Sequence, residues 1–326
     1  MNKPILAEMH THLIEKKVKP KDYWKAVLEK KLKIIAITEH VEYNPKKAYL
    51  DLKKIKPKNI ILIPGMEAKT SAGHLIIFGK DESIYNVPDI QTINIPIEKA
   101  LQRIKEYNLT ASFAHPYGYK TDSTCSIIGE KKTKELLEKY EIGTEYYNGM
   151  LGSATSLIFK NKILKNTYNI SDYLAKHKKL KFLNKAKIIE KKLYEISQET
   201  FMRVKNGITF SENAKYITAG SDAHYPRNIG MGVVELKKMP KNESDFLKMI
   251  EKREIKWAGP NKYLKNPISD VKKIEMLMGL KYLTKKKILK DKIKKPKKKK
   301  IKLIKDKFKS LLNKTKKVIK KVKKRG

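Results

Sequence analysis

Short apolar, β-prone runs alternate with amphipathic stretches along the first 220 or so residues. Ile5–Met9, Lys33–Thr38 (KIIAIT), Asn59–Pro64 (NIILIP), His74–Gly79, Thr110–Ala114, Ile142–Tyr147 and Tyr216–Ala219 read as strands. Helical periodicity appears around Lys21–Lys31, Lys46–Ile55 and Ile97–Tyr107. Strands that alternate with helices imply parallel pairing, and about seven such units favour an α/β barrel over an open sheet. No glycine-rich phosphate-binding fingerprint follows any of these strands, so no organic cofactor is expected.

Two segments break the rhythm. Residues 152–212 carry apolar positions such as Leu157, Ile163, Leu174, Leu183 and Leu193 at helical spacing, which predicts a helical insertion capping the barrel. Residues 1–265 are therefore expected to form one domain and 266–326 a basic, partly helical tail. Beyond Pro296 the tail places Ile301, Ile304, Phe308, Leu311, Val318 and Val322 on one face, with lysines on the other.

The charge sharpens this division. The 326-residue chain has 75 Lys and Arg against 34 Asp and Glu, a formal net charge of +41. The last 46 residues hold 24 of the basic side chains against Asp291 and Asp306, so +22 of that charge sits in the tail. Only five basic residues are arginines, and lysines favour general attraction to polyanions over sequence reading. A hydrophobic content of 40% is enough to build a core. The single cysteine, Cys125, excludes an internal disulfide and fits a reducing compartment. With no apolar run near the ~18 residues of a membrane span and no signal-peptide core at the N-terminus, a soluble cytoplasmic protein is expected.

The histidines carry the chemistry. Six of the seven lie at or beside the end of an expected strand: His10 and His12 (EMHTH), His40 (AITEH), His74 (PGMEAKTSAGH), His115 (FAHP) and His224 (GSDAH). His177, in AKHKKLK, reads as a solvated helix residue. In a parallel barrel the strand C-termini share one rim, where sites of this architecture are built. Six imidazoles with Glu67 and Asp222 beside them form a nitrogen and oxygen donor set for Zn, Mn or Fe, larger than one ion needs.

With these motifs in order, the chain resembles the PHP (polymerase and histidinol phosphatase) family of metal-dependent phosphoesterases, built on a distorted (β/α)7 barrel. The resemblance covers about residues 1–240. TEYYNG at 144–149 is similar to the segment of those members that carry a PHP-associated C-terminal portion. The resemblance implies that His10, His12, Glu67 and Asp222 hold one metal, and that Glu67 bridges to a second held by His74 and His115. It implies a third position at His40 and His224. The chain departs from the family by having Glu8 and Glu39 where Asp is usual. The loop LIEKKVKP offers only Glu15 as a further ligand at the third position.

Two or three divalent ions sharing a carboxylate activate a bridging water and offset charge on a phosphate, so phosphate ester hydrolysis is the expected reaction. His224 or His40, if free of metal, is a candidate acid for the leaving oxygen. Arg227, in SDAHYPRNIG, is a candidate phosphate contact, and Tyr117 and Tyr119 are candidate stacking residues against a loop-packing alternative. The expected substrates are nucleotides or short nucleic acid. The alternatives are a histidinol-phosphatase-like metabolite phosphatase, and a nucleic-acid-binding protein whose metal site is structural. For the tail, RNA or DNA, an anionic membrane and docking onto the barrel or a partner all remain open.

Overall fold

β1 (Ile5–Glu8), β2 (Ile34–Ile37), β3 (Ile61–Thr70), β4 (Gly73–Phe78), β5 (Thr110–Phe113), β6 (Gly143–Asn148) and β7 (Ile217–Gly220) realise the seven expected strands. Two more, β8 (Gly232–Leu236) and β9 (Ile255–Pro260), were not expected. The structure is a computed structural model that describes residues 3–152, 199 and 201–264. The chain divides into Met1–Lys273 and Ile274–Gly326, and all described residues belong to the first unit. Most of the expected helical insertion and all of the basic tail lie outside the described residues.

The nine strands form one sheet in the order β7-β6-β5-β4-β3-β2-β1-β8-β9, curled into a nearly closed barrel. Past the strand ends, a parallel bridge between Thr11 and Ala223 joins the continuations of β1 and β7. There His12 N donates to Ala223 O at 2.9 Å. The pairing is mixed rather than wholly parallel. β1, β2 and β3 are parallel, as are β5, β6 and β7, while β4 is antiparallel to both β3 and β5. β8 and β9 are antiparallel to their neighbours as well. The cause is local: β3 runs ten residues to Thr70, and only Ser71 and Ala72 separate it from β4. Two residues suffice for a hairpin but not for the dozen or more that a parallel crossover requires.

Helices cover the outside. α1 (Pro20–Glu29) starts on a proline at its first position and buries Tyr23, Trp24, Ala26 and Val27. α2 (Pro45–Lys53) starts the same way, with the Asn44 side chain accepting from Lys47 N at 3.0 Å. Trp24 Nε1 donates to Leu52 O at 3.0 Å and ties these two helices together. α3 (Ile97–Glu106) buries Ala100, Leu101 and Ile104, with Glu98 in its first turn and Arg103 and Lys105 in its last, as the helix dipole favours. α4 (Thr124–Ile127) is a single turn, and α5 (Glu130–Tyr140) buries Thr133, Leu136 and Leu137. Residues 201–211 are also helical.

α6 (Glu243–Glu251) differs in position. Its Phe246, Leu247, Met249 and Ile250 share a buried cluster with Ala7, Ile34, Ile63, Ile76 and Ala219 from the strands. Its C-terminal end adjoins the strand starts: Thr110 donates to Glu251 at 2.6 Å, and Arg253 Nε donates to Lys215 O at 2.9 Å. α6 thus packs at the rim opposite the histidines. None of the described helices is long and apolar enough to cross a membrane.

Candidate metal centre

At the other rim, strand direction decides which side chains converge. His10 and His12 follow β1, His40 follows β2 and His115 follows β5. Asp222 and His224 follow β7. His74 sits at the start of β4 rather than at a strand end, and reaches the same rim because the hairpin turns back there. Glu67 lies within β3 instead of in a loop. His115 (φ 29°) and Asp222 (φ 55°) both adopt left-handed backbone. Side chains other than glycine adopt it at a cost, and such residues gather at functional sites. At Gly220 a Cβ would collide with the backbone and Cβ of His10, so the chain crosses here only as glycine.

Glu67 is the hub. Its Oε1 lies 2.8 Å from His74 Nδ1 and 3.3 Å from His115 Nε2. Its Oε2 lies 3.1 Å from His40 Nδ1, 3.2 Å from His10 Nε2 and 3.4 Å from His12 Nε2. Asp222 Oδ1 completes one side at 3.3 Å from His12 Nε2 and 3.7 Å from His10 Nε2. Among the described residues, three sets of donor atoms fall within 4.8 Å of one another: His10, His12, Glu67 and Asp222; His40, Glu67 and His74; and His12, His40 and His224. The first coincides with the set implied by resemblance. In the second His40 takes the place expected of His115, and in the third His12 joins His40 and His224. Glu15 Oε2 approaches His224 Nε2 at 2.7 Å and His40 Nε2 at 3.7 Å, so the loop carboxylate does reach the third group.

Hydrogen bonding tests whether cations fit. His10 Nδ1 donates to Glu145 Oε1 at 2.9 Å, which turns the unprotonated Nε2 of a neutral ring toward Glu67 and Asp222. His224 Nδ1 donates to the carbonyl of Asp222 at 3.0 Å, which aims Nε2 at Glu15. His12 is buried with neither ring nitrogen hydrogen-bonded, and Glu15 Oε2 is likewise buried without a hydrogen bond. Lone pairs facing carboxylates in a buried pocket require a proton or a cation between them. Imidazole and carboxylate donors in this arrangement suit a divalent metal.

The protonation balance agrees. Burial opposes the charged form of His12, but Asp222, Glu39 and Glu67 outweigh it and raise the ring to about 9. Burial likewise opposes charge on His10, yet Glu145, Glu67 and Asp222 hold its pKa well above the usual value. Glu67 and Asp222 are both pushed upward by burial, and the surrounding histidines bring each far below the carboxylate range. His40 is the exception, lowered to about 4 chiefly by burial. Ligands of this kind bind metal in competition with protons.

Two residues that support the cluster, Glu145 and Asn148, were not singled out from sequence. Glu145 holds His10 and also accepts from His115 N at 2.8 Å and Asn148 Nδ2 at 3.1 Å. Asn148 in turn donates to Asp222 at 3.3 Å. Both belong to the TEYYNG run on β6, and an acid among aromatics in an otherwise buried strand was the available signal. Glu8 and Glu39 act on the backbone. Glu8 is buried and accepts from His10 N at 3.1 Å, Ser221 N at 2.7 Å and Gly230 N at 2.9 Å, while burial lifts it to about 7. Glu39 accepts from Leu13 N at 2.8 Å and from Ile14 N.

Among the described residues, Tyr119 is the one further candidate that meets a ligand. Arg227 stacks on the Tyr225 ring at 4.7 Å and is not part of the cavity lining. Tyr117 donates to Glu130 and packs edge-on against Phe210, whereas Tyr119 lines the cavity and meets the His115 ring edge-on at 5.4 Å. Cys125 is a buried thiol that burial pushes up to about 12, which leaves it a poor nucleophile. His177 lies outside the described residues.

Residues 210–255 match the PHP-associated family. No curated protein matches the chain. Among solved structures, PsfC from Pseudomonas syringae is similar over 86% of this chain and 100% of its own, at 11% identity and a TM-score of 0.52. A two-domain protein from Bacteroides vulgatus containing a predicted PHP-like metal-dependent phosphoesterase is 15% identical, with a TM-score of 0.46 over 78% of this chain and 64% of its own. The lesion-specific endonuclease PfuEndoQ from Pyrococcus furiosus is 13% identical, with a TM-score of 0.45 over 78% of this chain and 58% of its own. The chain thus spans less than two thirds of the length of those last two proteins. At these identities the likeness to PsfC is one of fold.

Proposed function

We propose that the chain, whose residues 210–255 match the PHP-associated family, is a PHP-type enzyme that hydrolyses phosphate esters of nucleotides or short nucleic acid. The observation that carries this reading is the split of Glu67, with one carboxylate oxygen among His10, His12 and His40 and the other between His74 and His115. A carboxylate placed this way suits two neighbouring cations, with His10, His12 and Asp222 on one side and His74 with His40 or His115 on the other. Divalent ions such as Mn, Zn or Fe bound there supply Lewis-acid activation of water and neutralise charge on the phosphate.

The protein's own residues fix the remaining geometry. Glu145 sets the ring orientation of His10, and Asn148 sets the Asp222 carboxylate. The Asp222 carbonyl presents His224 Nε2 to the cavity beside Glu15. With His12, His40 and Glu15, His224 would hold a third ion. When that position carries none, His224 is the donor to the leaving oxygen, since burial lowers His40 to about 4 and leaves it without a proton to give.

The net charge of +41 favours polyanionic substrates, with residues 1–265 as the proposed catalytic portion and 266–326 as the source of attraction. One observation favours the metabolite-phosphatase reading instead: the cavity over the cluster holds about 340 Å³, at the small end of the range for ligand pockets. The test is Mn-supplemented hydrolysis of a 5′-phosphorylated RNA oligonucleotide, a nucleoside bisphosphate and a sugar phosphate, with His10→Ala as background. Mononucleotide release that the variant loses supports the nucleic-acid reading. Turnover of the sugar phosphate alone replaces it with the metabolite phosphatase, and no turnover of any ester removes both.

A further inference from the structure

Among the described residues lining the cavity, Lys69 is the one lysine or arginine, and the motif that contains it assigns it no role. Its placement follows from strand geometry. Side chains of β3 alternate between faces, so Lys69 projects from the same face as Glu67. In the β3–β4 hairpin Lys69 pairs directly with His74, and paired residues of antiparallel strands share a face. An ammonium group therefore stands beside the Glu67–His74 part of the cluster.

This is an unfavourable neighbour for a metal site, because a fixed positive charge repels incoming cations. The fold gains little in return. Lys69 is 42% exposed, and its ion pair with Glu42 Oε1 spans 3.5 Å between partly solvated groups. That is longer than an N–H···O hydrogen bond and of a kind that contributes little stability. A lysine that is costly to the metals and of small use to the fold becomes useful once an anion lies between it and the cations. Glu42 also lines the cavity, so the ammonium has a resting partner within reach of the same space.

We infer that Lys69 binds the substrate phosphate, exchanging Glu42 for a phosphate oxygen as the ester enters the cavity. The inference rests on the phosphoesterase reading and identifies the residue that recognises the anion from the side away from the metals. Lysine binds phosphate as a point charge. The contact forms with substrate and persists through the reaction, so its loss acts mainly on KM.

The experiment uses the full-length, Mn-reconstituted protein as wild type, Lys69→Met, Lys69→Arg and Glu42→Gln. Inorganic phosphate binding is measured by calorimetry, kcat and KM on whichever ester is turned over, and bound Mn and Tm on each variant. Lys69→Met is expected to weaken phosphate binding and raise KM on the order of tenfold to a hundredfold. In that variant kcat changes less, and Mn content and Tm stay at wild-type values. Lys69→Arg keeps binding within a few-fold, and Glu42→Gln tightens it. If wild type turns over an ester and Lys69→Met keeps its phosphate affinity and KM, the inference fails while the phosphoesterase reading stands. Loss of Mn or Tm together with phosphate binding overturns it as well, by making Lys69 structural. A wild-type protein that binds Mn yet neither hydrolyses an ester nor binds phosphate overturns both.

Discussion

The two rims of the barrel are made from the same strands and contrast in almost every property. At one rim His10, His12, Glu67, His115 and Asp222 are buried side by side, with charges that balance only through protons or cations. At the other, α6 lays Phe246, Leu247, Met249 and Ile250 against the apolar strand interior. The division follows from chain direction: β1 opens on Ile5 and Leu6 and leads to His10, and β5 runs through Phe113 to His115. The apolar packing of α6 lies away from the cluster, while the opposite rim carries unpaired lone pairs and left-handed backbone.

The comparison can be broken from either side. Replacing the hub, Glu67→Gln, is expected to have the largest effect. Hydrolysis should fall by at least the ~10²–10³-fold typical of losing a fixed charge stabiliser, and metal content measured by elemental analysis should fall with it. On the apolar rim, Phe246→Ala should cost about 3–5 kcal/mol of stability, read as a lower denaturation midpoint. Metal content per folded molecule should stay unchanged. If Phe246→Ala instead empties the metal site of a folded protein, the rims are coupled and the contrast fails.

Smaller effects sharpen it. Glu145→Gln removes the charge that orients His10 without altering a proposed ligand, and is expected to weaken Mn affinity and activity about 10–100-fold. Its melting temperature should remain close to wild type. The mildest change is Cys125→Ser. The buried thiol lies outside the cluster, so kinetics and Mn binding should match wild type, and the native protein should react with a thiol reagent more slowly than the unfolded chain. Rapid modification of the folded protein would contradict the burial of that region.

Legibility from sequence varied by element for physical reasons. The seven strands were readable because each is a compact apolar run, and five of the six site histidines because each follows such a run, whereas His74 opens β4. The antiparallel turn of β4 was hidden: the sequence extends β3 to Thr70 through Glu67 and Lys69, whose polarity resembles a loop. β8, β9 and α6 lay beyond the last recognised motif and were missed, although Asn242 and the apolar spacing of Phe246, Leu247 and Ile250 are ordinary helix signals. Glu15 was readable only as the sole carboxylate available in its loop. Its approach to both His40 and His224 depends on how that loop folds back over the rim.

The sequence by itself determined the donor types and their order along the chain, since strand periodicity and chain direction place every strand-end histidine near one rim. Only the tertiary structure decided which atoms meet. His10 and Glu145 are 135 residues apart, and their 2.9 Å contact depends on how β1 and β6 are placed around the barrel. The same packing divides the oxygens of Glu67 between two groups of histidines and turns Lys69 toward the cavity while Arg227 stacks on Tyr225. Contacts between residues so far apart in the chain are set by strand pairing and barrel curvature, and no local pattern encodes them.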